Sequence, residues 1–194
     1  MIKFDVQYDP KILQIAAKKY PIAAMAALNK AAESAVTFAS AEVRKTWNIR
    51  KSELDAAFTV SRAASGRLHA TIRVKGKTLS PMAFGLPTIS SAGIVVNERI
   101  GQAREIKHAF LATMPSGHTG IFLRRSKARR ETRISKTGKR RSTQLPIIER
   151  TGPSIPILIG SPAMFAKISQ FIKQQVPLLF KHEIDWRKEA GKSL

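Results

Sequence analysis

Four histidines, thirteen acidic residues and no cysteine are what this chain offers for metal binding or acid–base chemistry. His69, His108, His118 and His182 show no His/His or His/acid spacing of a zinc site, and His182-Glu183 stands alone. Without thiols there are no disulfides and no thiolate nucleophile or ligand, which fits a reducing compartment. The acids are spread along the chain and suggest no carboxylate pair for general acid–base work. Ser116-Gly117-His118 lacks both the Gly-x-Ser-x-Gly frame and a positioned acid, so it reads as a glycine-flanked turn rather than a hydrolase motif. Gly117-His118-Thr119-Gly120 lacks the lysine and spacing of a phosphate-binding loop. The expectation is a protein that is not an enzyme, with no catalytic residues, no metal site and no cofactor.

The cations are the informative chemistry. From Arg124 to Arg141 there are ten Lys/Arg residues and one acid, Glu131, a net charge of +9 within 18 residues of a chain whose total is +21. Like charges at this density repel, and taking them out of water is costly unless anions compensate. The block therefore either stays solvated or lies against a polyanion. Seven of the ten are arginines, whose planar fork grips phosphate better than lysine does. The candidate phosphate-contacting residues are Arg124, Arg125, Lys127, Arg129, Arg130, Arg133, Lys136, Lys139, Arg140 and Arg141. No aromatic residue lies between Arg124 and Arg150, which excludes base stacking by the block. Contact would be to the nucleic-acid backbone and indifferent to sequence. Helix-turn-helix, zinc-finger and RNP-type signatures are absent.

The elements that must hold this block follow from composition and periodicity. A hydrophobic fraction of 43% supports a real core, and 194 residues point to one domain. Met1-Ile2-Lys3-Phe4-Asp5 has no signal-peptide character, and no apolar run is long enough to span a bilayer, so a soluble protein made in the cytoplasm is expected. Asp9-Pro10 reads as the start of a short helix to Lys19, ended by Tyr20-Pro21. A longer helix is expected from Ile22 to Trp47, with Met25, Ala32, Val36, Ala39, Val43 and Trp47 as its apolar stripe and many alanines allowing close approach. Ser52-Glu53-Leu54-Asp55 has the form of a capping box opening a third helix over Glu53 to Phe58.

The centre changes period. Leu68, Ala70, Ile72 and Val74 alternate with Arg67, His69, Thr71 and Arg73, as in a half-buried strand. Further strands are expected at Phe58 to Ala63, Pro81 to Phe84, Gly93 to Val96, Ala109 to Met114 and Gly120 to Leu123. Ser161-Pro162 supplies N-cap and first residue of a C-terminal helix over residues 162–190, with Met164, Ile168, Phe171 and Ile172 as its stripe, extended by Leu178, Leu179 and Trp186. Pro177 should kink or divide it near Gln174. The fold class is α+β: a mixed or antiparallel sheet packed against N- and C-terminal helices in a single domain, residues 1–194. A long basic loop or hairpin arm, residues 124–144, belongs to that domain.

The order Ala109-Phe110-Leu111-Ala112-Thr113-Met114, Ser116-Gly117-His118, Gly120-Ile121-Phe122 and Arg124-Arg125, followed by Leu145-Pro146-Ile147, Glu149 and Gly152-Pro153-Ser154-Ile155-Pro156, resembles the minor tail protein Z family of long-tailed bacteriophages. Ala27-Leu28-Asn29-Lys30-Ala31, Val43-Arg44 and Trp47-Asn48-Ile49 are similar to its N-terminal helical region, so the resemblance runs from about Ile22 to Pro162. The departure is the basic insert, Ser126 to Thr143, which is longer and more charged than the family pattern requires. The resemblance implies a virion protein, assembled in the host cytoplasm, that completes the head-facing end of the tail together with the tail terminator. It implies neighbouring neck or tail-tube proteins, a homo-oligomeric ring, phage DNA entering the upper tail, no membrane and no enzymatic residues.

Two function classes follow. One is a structural tail-completion protein at the head–tail junction. The other is a free-standing, non-specific nucleic-acid-binding protein of the ribosomal or architectural kind. In either, the insert is too polar to add apolar burial, which stabilises by about 25 cal/mol per Å². Deleting Ser126 to Thr143 should therefore leave the melting temperature nearly unchanged, and a drop of many degrees would contradict this.

Overall fold

A computed structural model describes residues 1–6, 15, 19–64, 66–124, 132–134, 137–138, 140–142 and 147–191. The chain is α+β, with long helices in its N- and C-terminal regions and antiparallel sheets between them. Where length points to one domain, backbone contacts group the chain into two compact units. The first holds Met1–Thr46, Arg50–Lys77 and Pro153–Leu194, and the second holds Trp47–Ile49 and Thr78–Gly152.

In the first unit the elements are β1 (Ile2–Val6), α1 (Pro21–Thr46), α2 (Lys51–Ala57), β2 (Phe58–Ser61), β3 (Ala70–Val74), α3 (Ile155–Ile159) and α4 (Pro162–Glu189). β3 is the middle strand of an antiparallel sheet in the order β1-β3-β2, with Ile72 opposite Phe4 on one side and Val60 on the other. Alternation correctly marks Ala70, Ile72 and Val74 as buried, but Thr71 is buried too, because its hydroxyl donates to Asp5 Oδ1 (3.0 Å). β1 and α3 were not expected from the sequence. The helix expected from Asp9 to Lys19 falls mostly outside the described residues, of which Ile15 and Lys19 are helical.

α1 packs against α4, and its alanines explain why the approach can be close. Ala23, Ala24, Ala27, Ala31, Ala32, Ala35 and Ala39 are buried with Leu28 and Val43. Small side chains let ridges of one helix settle into grooves of the other. The expected stripe is thus rotated: Met25 and Val36 lie at its edge, and Trp47 lies beyond the helix end. Phe38 stacks on Phe171 with centroids 4.3 Å apart, and Phe4 on Phe165 at 4.8 Å. Asn29 pins α1 to the segment after β2, accepting from Ala63 N (2.7 Å) and donating to Ala63 O (3.3 Å).

Several local expectations need correction. Ser52 lies inside α2, whose N-cap is Arg50, so no capping box forms. α4 begins at Pro162 after Ser161, as its sequence indicates, but Ser161 Oγ donates back to Leu158 O (3.2 Å) instead of capping. Pro177 does not divide α4. A mid-helix proline costs about 3 kcal/mol. Buried Ile168, Ile172 and Val176 before it and Glu183 after it keep both sides of the proline packed, and Pro177 itself faces solvent. Leu178 and Trp186 are exposed rather than part of the stripe.

Two buried carboxylates on the α1–α4 contact are matched with cations, as a carboxylate withdrawn from water must be. Glu183 pairs with Lys30 and with Arg187 Nε (3.4 Å). Glu42 pairs with Lys45 and with Lys167 Nζ (3.2 Å). Lys45, then Lys167, holds the Glu42 carboxyl below its ordinary value against the opposing pull of burial. A depressed folded pKa contributes stability above the unfolded value and loses it as pH falls through the folded one. Glu42→Gln should therefore melt lower than the parent at neutral pH and converge with it in acid, below the usual glutamate range. Melting curves that stay parallel across pH would show that the pair adds nothing.

Candidate nucleic-acid interface

The second unit consists of a 3-10 turn (Pro81–Phe84) and the strands β4 (Thr88–Ile89), β5 (Gly93–Arg99), β6 (Gln102–Lys107), β7 (Ala109–Thr113), β8 (Thr119–Arg124), β9 (Thr132–Ile134), β10 (Arg140–Ser142) and β11 (Ile147–Glu149). Pro81 to Phe84, expected as a strand, is this 3-10 turn because Ser80 caps it, accepting from Met82 N (3.5 Å) with Pro81 first in line. β6 and β11 carry no alternating pattern and were missed, whereas β5, β7 and β8 fall where expected. The order is β4-β5-β6 in one antiparallel sheet and β11-β8-β7 in the next. Ile94, Val96, Ile106, Ala109 and Ile121 form their shared core, with Leu123 packed against it.

The cation block leaves the second sheet between two of its strands. β8 ends on Arg124 and β11 begins on Ile147, and these two residues face each other in the antiparallel ladder, followed by Leu123 with Ile148 and Phe122 with Glu149. Between them lies a second ladder, β9 with β10, in which Ile134 faces Arg140, Arg133 faces Arg141 and Thr132 faces Ser142. Gly138, at φ +74°, stands in the connection of β9 to β10. Like charges at directly opposed register positions destabilise an antiparallel pair. An anion shared by such positions removes that penalty.

Of the ten candidate residues, Arg124 ends β8, Arg133 lies on β9, and Arg140 and Arg141 lie on β10. Arg125, Lys127, Arg129, Arg130, Lys136 and Lys139 lie outside the described residues. Arg124 is exposed, and its guanidinium sits 5.1 Å from the centroid of the Phe110 ring. Phe110 in turn packs on Phe122, centroids 6.2 Å apart. Stacking on an aromatic face fixes the plane of a guanidinium while leaving its N–H groups free to donate, which suits phosphate. Phe110 lies on β7, one strand before the strand on which the charge run begins, so nothing in the block itself signals this support.

Further along the same strands, His118 Nε2 and Glu149 Oε1 are 2.8 Å apart. This pair was invisible in the sequence because 31 residues separate its members. The residues Met114 to His118 form the expected turn: Gly117 N donates to Met114 O and Met114 N to His118 O, both 2.8 Å. Among the described residues, no group of three His, Cys, Asp or Glu side chains could hold a metal ion. No described helix is long and apolar enough to cross a membrane. No protein-family model, curated protein or solved structure matches this chain.

The two glycines of this turn act differently. Gly117 has φ +81° with open space around it, so alanine there is strained by the backbone alone, costing about 1 kcal/mol. Gly120 has ordinary backbone, but a Cβ would come within 2.8 Å of Glu149 Oε1 and 3.2 Å of Phe122 Cζ. Gly117→Ala and Gly120→Ala should each lower stability by about 1 kcal/mol. Only Gly120→Ala should also cancel the effect of Glu149→Gln in a double-mutant cycle, because it displaces that carboxylate. Unchanged denaturant midpoints for both single variants would contradict the turn geometry.

Proposed function

We propose that this chain is a structural, non-enzymatic virion protein of the minor tail protein Z type, completing the head-proximal end of a phage tail. One observation carries the reading. The segments that bear most of the resemblance, Ala109–Thr113, Thr119–Arg124 and Ile147–Glu149, pair into one sheet, and the basic insert departs from and returns to that sheet at Arg124 and Ile147. A family scaffold with a charged arm added at one connection accounts for both the resemblance and the departure. The arm's ligand is the phosphate backbone of phage DNA, met without regard to sequence. Copies arranged as a ring around the DNA path turn a few cations per subunit into a charged collar. The tail terminator and neighbouring neck or tail-tube proteins are its assembly partners.

The purified protein should bind duplex DNA of any sequence with steep salt dependence. Contact with about 6–10 phosphates weakens affinity by roughly 10³–10⁵ between 50 and 200 mM salt. Replacing Arg129, Arg130, Arg140 and Arg141 by glutamine should flatten that slope and leave the fold intact. In the particle, the same change should impair head–tail joining or DNA-end placement more than tube synthesis. Failure to bind DNA at low salt would reject the backbone contact. Tight binding by free monomers on cellular RNA would instead favour an architectural nucleic-acid-binding protein.

A further inference from the structure

β7 pairs with β8 on one side, and no described strand pairs with its other edge. Its first residues, with His108 before them, line a groove of about 420 Å³, closed opposite by the β4–β5 turn from Ile89 to Ile94. Phe110, Leu111 and Ile89 give the groove its apolar lining, and Ser90 and Ser91 a polar one. Leu111 and Ile89 are 40% and 74% exposed, an unusual expenditure of apolar surface beside an unpaired strand edge. His108 stands at the mouth at φ +59°, a backbone region that a non-glycine residue rarely occupies, and its N–H is held by Ala92 O (2.8 Å). This residue turns the chain from β6 into β7.

The charge around the groove selects its occupant. Exposed Lys107 precedes it, and Arg124 lies against Phe110 on its wall. Glu105 is already tied to the turn, accepting from Ser90 Oγ (2.6 Å). A second copy of a chain with net charge +21 would bring more cations to this edge. A free strand edge flanked by apolar and cationic side chains fits an extended segment, with main-chain hydrogen bonds for affinity and side chains for specificity. We propose that the open edge of β7 takes an extended acidic segment of another protein, which adds to the β11-β8-β7 sheet as a fourth strand. Apart from Arg124, which both would use, this surface is independent of the DNA reading.

The test uses the full chain and a fluorescein-labelled peptide alternating valine and glutamate, with a valine–lysine peptide as control. Anisotropy should show the acidic peptide binding at least about tenfold tighter than the basic one. Hydrogen exchange should slow within Ala109–Thr113 on binding. Leu111→Glu and, separately, Lys107→Glu should weaken binding about tenfold, both positions being exposed and so compatible with folding. Binding should persist when Arg129, Arg130, Arg140 and Arg141 are glutamine. Loss of binding in that arm variant, protection elsewhere than β7, or no preference for the acidic peptide would overturn the proposal. So would self-association of the protein alone through β7, which would make a second copy the occupant.

Discussion

A net charge of +9 in 18 residues cannot be withdrawn from water without anions to match it, and the chain has few to give. Among the described residues, most of its acids already have partners. Glu42 and Glu183 neutralise lysines on the α1–α4 contact, and Glu33 pairs with Arg62 and Asp55 with Lys51. In the second unit Glu98 faces Arg104, Glu105 holds Ser90, and Glu149 holds His118. Few acids are left over to match the cation block, so matching its charge falls to solvent ions or an external polyanion. The β8–β11 ladder runs up to Arg124 and Ile147, the residues that flank the block in sequence.

That arrangement separates two tasks. Ile94, Val96, Ile106, Ala109 and Ile121 build a core from residues outside the insert. Arg124, at the root of the arm, is held against Phe110 and thence Phe122, so the first cation of the block is anchored to the folded sheet. An anchored guanidinium loses less freedom on meeting a phosphate than one on a free side chain. A polyanion drawn to the arm would thus meet at least one fixed donor, with the register opposition of Arg133 and Arg141 close behind it in sequence.

What could be read from the sequence followed physical signals of short range. Period-two alternation located β3, and proline after serine located the start of α4, because both depend on neighbouring residues. β6 escaped for want of such a signal, whereas β1 does alternate, with Ile2, Phe4 and Val6 against Lys3 and Asp5. β1 is a five-residue edge strand paired with β3, with Phe4 stacked on Phe165, and β6 exposes four of its six residues in a row. Pro177 does not divide α4 because its local cost is outweighed by tertiary packing on either side. At the candidate site the charges were plain, whereas their aromatic support and the His118–Glu149 pair were not, since strand pairing alone brings those residues together. The alanines of α1 announced close approach, and the buried face keeps the helical period through Ala24, Leu28, Ala31, Ala35, Ala39 and Val43, with Met25 and Val36 at its edge.

The central claim is that this chain closes the head-facing end of a tail around DNA. Electron cryo-microscopy of intact particles carrying a label at the C-terminus of this chain tests it most directly. The account predicts a ring of density at the head–tail junction, coincident with the label and surrounding the DNA path. Particles whose junction lacks the label, with the protein recovered instead as monomers on cellular nucleic acid, would contradict it.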